Sequence, residues 1–132
     1  MKQHSTTTFS LWLKKSKNDL KAAKKLVQKP DPLYDMAVYH CQQTDEKALK
    51  AYLVFKNIEL FKTHDLNFLL SKCIIIDKSF SDLYDDCELL TPLATEFRYP
   101  DDIFEPTIEE FDEALIAANK IYNFVADKLL FV

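Results

Sequence analysis

The chain has 132 residues, 48% hydrophobic and 29% charged, with a net charge of −4 and no glycine at all. That length suits one domain around one core, and no stretch reaches the ~20 apolar residues that a membrane-crossing helix needs. Without glycine, the Walker and dinucleotide phosphate loops are excluded, because their backbones approach phosphate too closely for a Cβ. Tight hairpins are disfavoured for a related reason, so an all-helical chain is the expectation.

Charge segregates along the sequence. Residues 1–30 hold eight lysines and one acid, Asp19, whereas residues 31–132 hold nine basic and twenty acidic residues. A basic first helix can meet nucleic acid or another polyanion. It can equally lie beside the acidic remainder, which the overall negative charge favours, so direct nucleic-acid binding is not expected.

In chain order, residues 1–8 read as a flexible tail and a helix follows from Ser10 to Lys29. Phe9, Leu13, Leu20, Ala23 and Val27 share one of its faces, and Lys14, Lys17, Lys21 and Lys24 trace another that should face water. Pro30 stops it. Asp31-Pro32 then reads as an N-cap followed by a first-turn proline, opening a second helix that runs to Lys56. Asn57 is the best left-handed terminator a glycine-free chain can offer. A third helix spans Asp65 to Ile76. Ser79 to Phe97 forms a fourth, interrupted at Thr91-Pro92, where the proline either kinks it or starts a new helix capped by Thr91. Arg98 to Pro106 is a loop. Thr107-Ile-Glu-Glu110 is a capping box that opens the last helix, whose stripe is Phe111, Leu115, Ala118, Tyr122, Val125 and Leu129. The sum is an all-α, antiparallel up-and-down bundle of four main helices plus a shorter fifth, in a single domain over 1–132.

Cys41, Cys73 and Cys87 are odd in number and widely spaced, and residues 1–30 show no apolar h-region of the kind a signal peptide carries. They read as reduced, buried thiols of a cytoplasmic protein. With His4, His40 and His64 they complete no zinc pattern, so no metal or other cofactor is expected.

The chemistry concentrates on the second helix. His40, Gln43, Lys47 and Lys50 follow steps of three, four and three and so lie in one line, flanked by Glu46. Met36, Tyr39, Leu49 and Leu53 carry an adjoining apolar face. Two lysines and an amide in line suit an anion such as phosphate. The alternative is a solvated face in which Glu46 pairs with Lys50. Arg98, the single arginine, stands in Phe97-Arg-Tyr-Pro100; its guanidinium can grip phosphate bidentately or pair with a neighbouring acid.

His40, Gln43, Glu46-Lys47, Lys50-Ala51, then Thr63-His64-Asp65-Leu66, then Arg98-Tyr99-Pro100 resemble, in order and spacing, the HEPN domain family (higher eukaryotes and prokaryotes nucleotide-binding), over roughly residues 9–130. The resemblance implies a helical bundle, often a homodimer, that works with a minimal nucleotidyltransferase in a two-component, toxin–antitoxin-like system. It also implies a nucleotide site at His40, Gln43, Glu46, Lys47, Lys50, Arg98 and Tyr99. Other members of the family are metal-independent ribonucleases with an arginine and a later histidine separated by four to six intervening residues. After Arg98 those positions are Ile103, Phe104 and Glu105, and no histidine follows His64. The catalytic role therefore does not carry over, and a non-catalytic binding module is the first reading. A pure protein-interaction partner without ligand is the second, and a divergent ribonuclease using His40 or His64 as base the third.

Overall fold

A computed structural model describes residues 6–60, 62–93 and 105–130. Among them the chain is all-α, with five α-helices: α1 (Thr6–Leu26), α2 (Tyr34–Phe55), α3 (Leu66–Ile76), α4 (Tyr84–Leu90) and α5 (Ile108–Leu130). The helix α2 lies at the centre and packs against the other four. Contacts between α1 and α2 step forward on one as they step back on the other: Phe9 against Phe55, Trp12 against Lys50, Ser16 against Thr44, Asp19 against His40. The two helices are therefore antiparallel.

Central position decides the composition of α2. A helix covered on several sides buries more than one face, and here everything from Cys41 to Glu46 is buried, polar residues included. Around it Leu49, Leu53, Leu66, Leu69, Leu70, Leu83, Leu90, Ile121 and Val125 form the core. Phe80 plugs the space between α2 and α5, with ring centres 4.4 Å from Tyr52 and 4.9 Å from Phe124. Lys128 on α5 bonds Asp77 at 2.8 Å, beyond the end of α3. That bond, with the hydroxyl and amide of Ser79, holds the Asp77 carboxyl down at about 2.

Local signals account for most helix ends. The Asp65 carboxylate accepts from the amides of Asn67 and Phe68, an N-cap for α3. Thr107 and Glu110 exchange side-chain and backbone bonds of 2.8 and 3.0 Å, so the capping box of α5 forms as read. At the end of α2, Asn57 has φ of 61°, its amide bonds Val54 O, and Ile58 N reaches Leu53 O. This is a Schellman close with asparagine in glycine's usual place. Asn57→Ala should cost about 1 kcal/mol, because a Cβ without a local polar group resists the left-handed region. A urea unfolding midpoint measures it.

Four expectations change. The first helix starts at Thr6, inside the expected tail, and ends a turn early, where Leu33 N bonds Leu26 O and closes the corner. That corner moves the start of the second helix from Pro32 to Tyr34, and exposed Asp31 caps nothing; Leu33 takes the cap position without a side-chain bond. The fourth helix is not continuous from Ser79: a 3-10 helix, Lys78–Leu83, precedes the seven-residue α4. Thr91 is helical, and its hydroxyl bonds back to Cys87 O instead of capping, so Pro92 falls in a short 3-10 turn, Thr91–Leu93. The rest of that helix, to Phe97, lies outside the described residues.

Candidate functional site

The line read on α2 exists, but as an interhelical network, and the two lysines differ in role. Asp19 of α1 receives Nδ1 of His40 at 2.7 Å and Nζ of Lys47 at 2.7 Å, tying α1 to α2. Glu46 receives Nζ of Lys50 at 2.9 Å, Nδ1 of His64 at 2.9 Å and, more weakly, Nε2 of Gln43 at 3.4 Å. Gln43 also donates to Gln42, which is fully buried and reaches the carbonyl of His64 at 3.5 Å. Thus Glu46 ties α2 to the segment that enters α3. The solvated-face alternative is overturned for the Glu46–Lys50 pair: it forms, but with the Glu46 side chain 4% and the Lys50 side chain 10% exposed.

Lys47, His40 and His64 form the outer rim, with side chains 25%, 26% and 47% exposed. A carboxylate only accepts, so the proton on each imidazole sits on Nδ1, and Nε2 is turned away from the carboxylate. Formal charge across Asp19, Lys47, Glu46 and Lys50 cancels. An anion must therefore compete for Lys47 against Asp19, whereas Lys50 is committed to the interior, where its ammonium also sits 5.5 Å from the Trp12 ring centre.

The apolar face beside the line is only partly as read. Leu49 and Leu53 are buried, but Met36 is 43% exposed. Arg98 and Tyr99 lie outside the described residues. Missed from the sequence were Asp19, Ser16, Gln42 and Thr44. Asp19 carried a signal: the one acid among eight lysines, it stands three and four residues from Ser16 and Ala23, on the buried face.

Behind the rim lies a second unread feature. Asp45 is completely buried, and neither of its oxygens has a hydrogen-bond partner of good geometry. Burial pushes its carboxyl up to about 8; the neighbouring Cys87 thiol offsets part of this, and Asp86 and Glu46 add to it. All three cysteines are free and buried, as expected. Burial raises their thiols, Cys41 to about 12, so none is a ready nucleophile. Among the described residues no group of three or more His, Cys, Asp or Glu could hold a metal ion, and no helix is long and apolar enough to cross a membrane.

Residues 9–129 match the model of the HEPN domain family. The archaeal HEPN homologue ST0689 is similar in structure, with a TM-score of 0.72 and 28% identity over 97% of this chain and 98% of that one. TT1696 from Thermus thermophilus is similar with a TM-score of 0.74 and 28% identity, over 92% and 98%. Among curated proteins none matches.

Proposed function

We propose, for a chain that belongs to the HEPN domain family, the role of a non-catalytic binding module. It acts in the cytoplasm as a homodimer beside a minimal nucleotidyltransferase, and holds a nucleotide or another phosphate-bearing ligand on the α1–α2 seam. The observation that carries this reading is that two buried carboxylates, Asp19 and Glu46, orient the partly exposed Lys47, His40 and His64, with buried Gln43 also bonded to Glu46. Preset side chains lose less freedom on binding than free ones, which favours affinity. Phosphate contact falls to Lys47 and the two imidazoles. Lys50 and Glu46 hold the rim in shape, and Arg98 and Tyr99 complete the family's site set.

A thermal-shift titration with a nucleotide panel tests the reading. At least one nucleotide raises the melting temperature of the wild-type protein, and Lys47→Ala weakens that response about tenfold, the loss of one charged contact. No stabilisation by any nucleotide, or an equal response from Lys47→Ala, removes the proposal. If the chain is instead a pure interaction partner, it co-purifies with the nucleotidyltransferase and responds to no nucleotide.

One observation favours a catalytic reading as the alternative. Each histidine gives Nδ1 to a carboxylate, which fixes the tautomer whose Nε2 can take a proton, the arrangement of a general base. In that case RNA is cleaved by wild type and spared by His40→Ala or His64→Ala; absence of cleavage by wild type ends it.

A further inference from the structure

The flank of α1 that faces the seam carries more than Asp19. Thr8, Trp12, Lys15 and Asp19 recur at steps of four, three and four, so they form one row. Thr8, Leu11, Trp12 and Lys15 line an open, largely apolar cavity of about 270 Å³. Small-molecule sites begin at roughly 300 Å³, so this one has room for a single planar ring system and not for a stretch of polymer.

The cavity joins the seam through one side chain. Lys50 lies over Trp12 while it bonds Glu46. Because α1 and α2 are antiparallel, the row Trp12, Lys15, Asp19 runs beside the row Lys50, Lys47, His40. The indole and its cavity therefore lie toward one end of the α1–α2 seam and the partly exposed Lys47 and His40 toward the other, with exposed Lys15 about one turn along α1 from Trp12. Along α1, Trp12 and Asp19 are ~10 Å apart at 1.5 Å per residue, within the span of one nucleotide and a lysine side chain.

An aromatic wall beside cations suits a ligand with a flat ring and a negative charge. From this juxtaposition we infer that the Trp12 cavity receives the base of a free mononucleotide whose phosphate is held by Lys15 and Lys47. The phosphate half rests on the function proposed above; the base half stands on the cavity and the indole. Stacking on an aromatic side chain is tolerant of base identity, so purine and pyrimidine nucleotides both bind.

Trp12 is the chain's single tryptophan, so its emission reports this cavity alone. The test titrates AMP, adenosine and inorganic phosphate into the wild-type protein and the Trp12→Leu, Trp12→Phe and Lys47→Ala variants, by fluorescence and calorimetry. The expected result is saturable quenching by AMP and none by phosphate. Trp12→Leu weakens AMP about tenfold or more, Trp12→Phe restores most of the affinity, and Lys47→Ala weakens AMP but not adenosine. If AMP binds and depends on Lys47 while Trp12→Leu changes nothing, the base site is overturned and the seam reading survives. If adenosine quenches as well as AMP and Lys47→Ala has no effect, the cavity stands and the seam reading falls. Emission that follows protein concentration in place of ligand means a second copy covers the cavity, and overturns the inference; so does the absence of any response, which removes both readings.

Discussion

Replacing Glu46 with alanine is expected to be among the most damaging single changes in this chain. Glu46 is 3% exposed and accepts from Lys50, His64 and Gln43. Removing it leaves the Lys50 ammonium, with a side chain 10% exposed, without its carboxylate. Breaking a buried pair from one side costs about 3–5 kcal/mol, which for a domain of this size lowers the melting temperature by roughly 10–20 °C. The origin of the loss has a signature. If the unpaired charge is responsible, Glu46→Leu combined with Lys50→Met recovers most of the stability, since apolar replacement of both partners is often neutral. Chemical denaturation of the single and double variants reads this directly. A double variant as unstable as the single one means that the hold on His64 and the α3 entry dominates instead.

Asp45 gives the second large effect, with the opposite sign. Its carboxyl titrates at about 8 when folded, against an ordinary value of 3.8. Between those values the folded chain keeps a proton that the unfolded chain releases. The contribution of Asp45 to stability is therefore greatest below about pH 4, falls as pH rises through this window and levels off above about pH 8. At about 1.4 kcal/mol per pKa unit, the change is on the order of several kcal/mol. Asp45→Asn removes the ionisation, so the variant is more stable than wild type at pH 8 and loses this part of the slope. Asp86, Glu46, Cys73 and Cys87 surround the carboxyl, and Lys120 of α5 faces Asp86 at 3.0 Å. None of them supplies Asp45 with a cation. Urea unfolding at pH 5, 6.5 and 8 for the two proteins checks the sign. A wild-type protein that gains stability over that range contradicts it.

Periodicity and caps made most of the fold legible. The α5 capping box and Asn57 as the end of α2 are local motifs in which neighbouring residues satisfy one another's backbone groups, so no tertiary knowledge is needed. The second helix starts later than its local signal suggests because a bond across the interhelical corner, Leu33 N to Leu26 O, outweighs Asp-Pro. The fourth helix broke for a similar reason: Phe80 must reach between Tyr52 and Phe124, and the chain tightens to 3-10 to deliver it.

At the site, spacing identified the line on α2 but not what faces it. His40 and Lys47 sit beside α1 because Asp19 is there, and nothing local to α2 encodes that partner. Helical periodicity also assigns charged residues to solvent by default, so burial of Glu46 and Lys50 was not legible. Asp45 was hidden the same way: it stands at three- and four-residue steps from Cys41, Ala48 and Leu49, and only full burial makes it unusual.

The most direct measurement is the map of amide chemical-shift changes in a uniformly labelled protein as AMP is added. Residues 8–19 of α1 and 39–50 of α2, with His64, are expected to move together and saturate together, while α3, α4 and α5 stay still apart from their contacts with α2. Changes confined to α3–α5, or no saturable change at all, would contradict it.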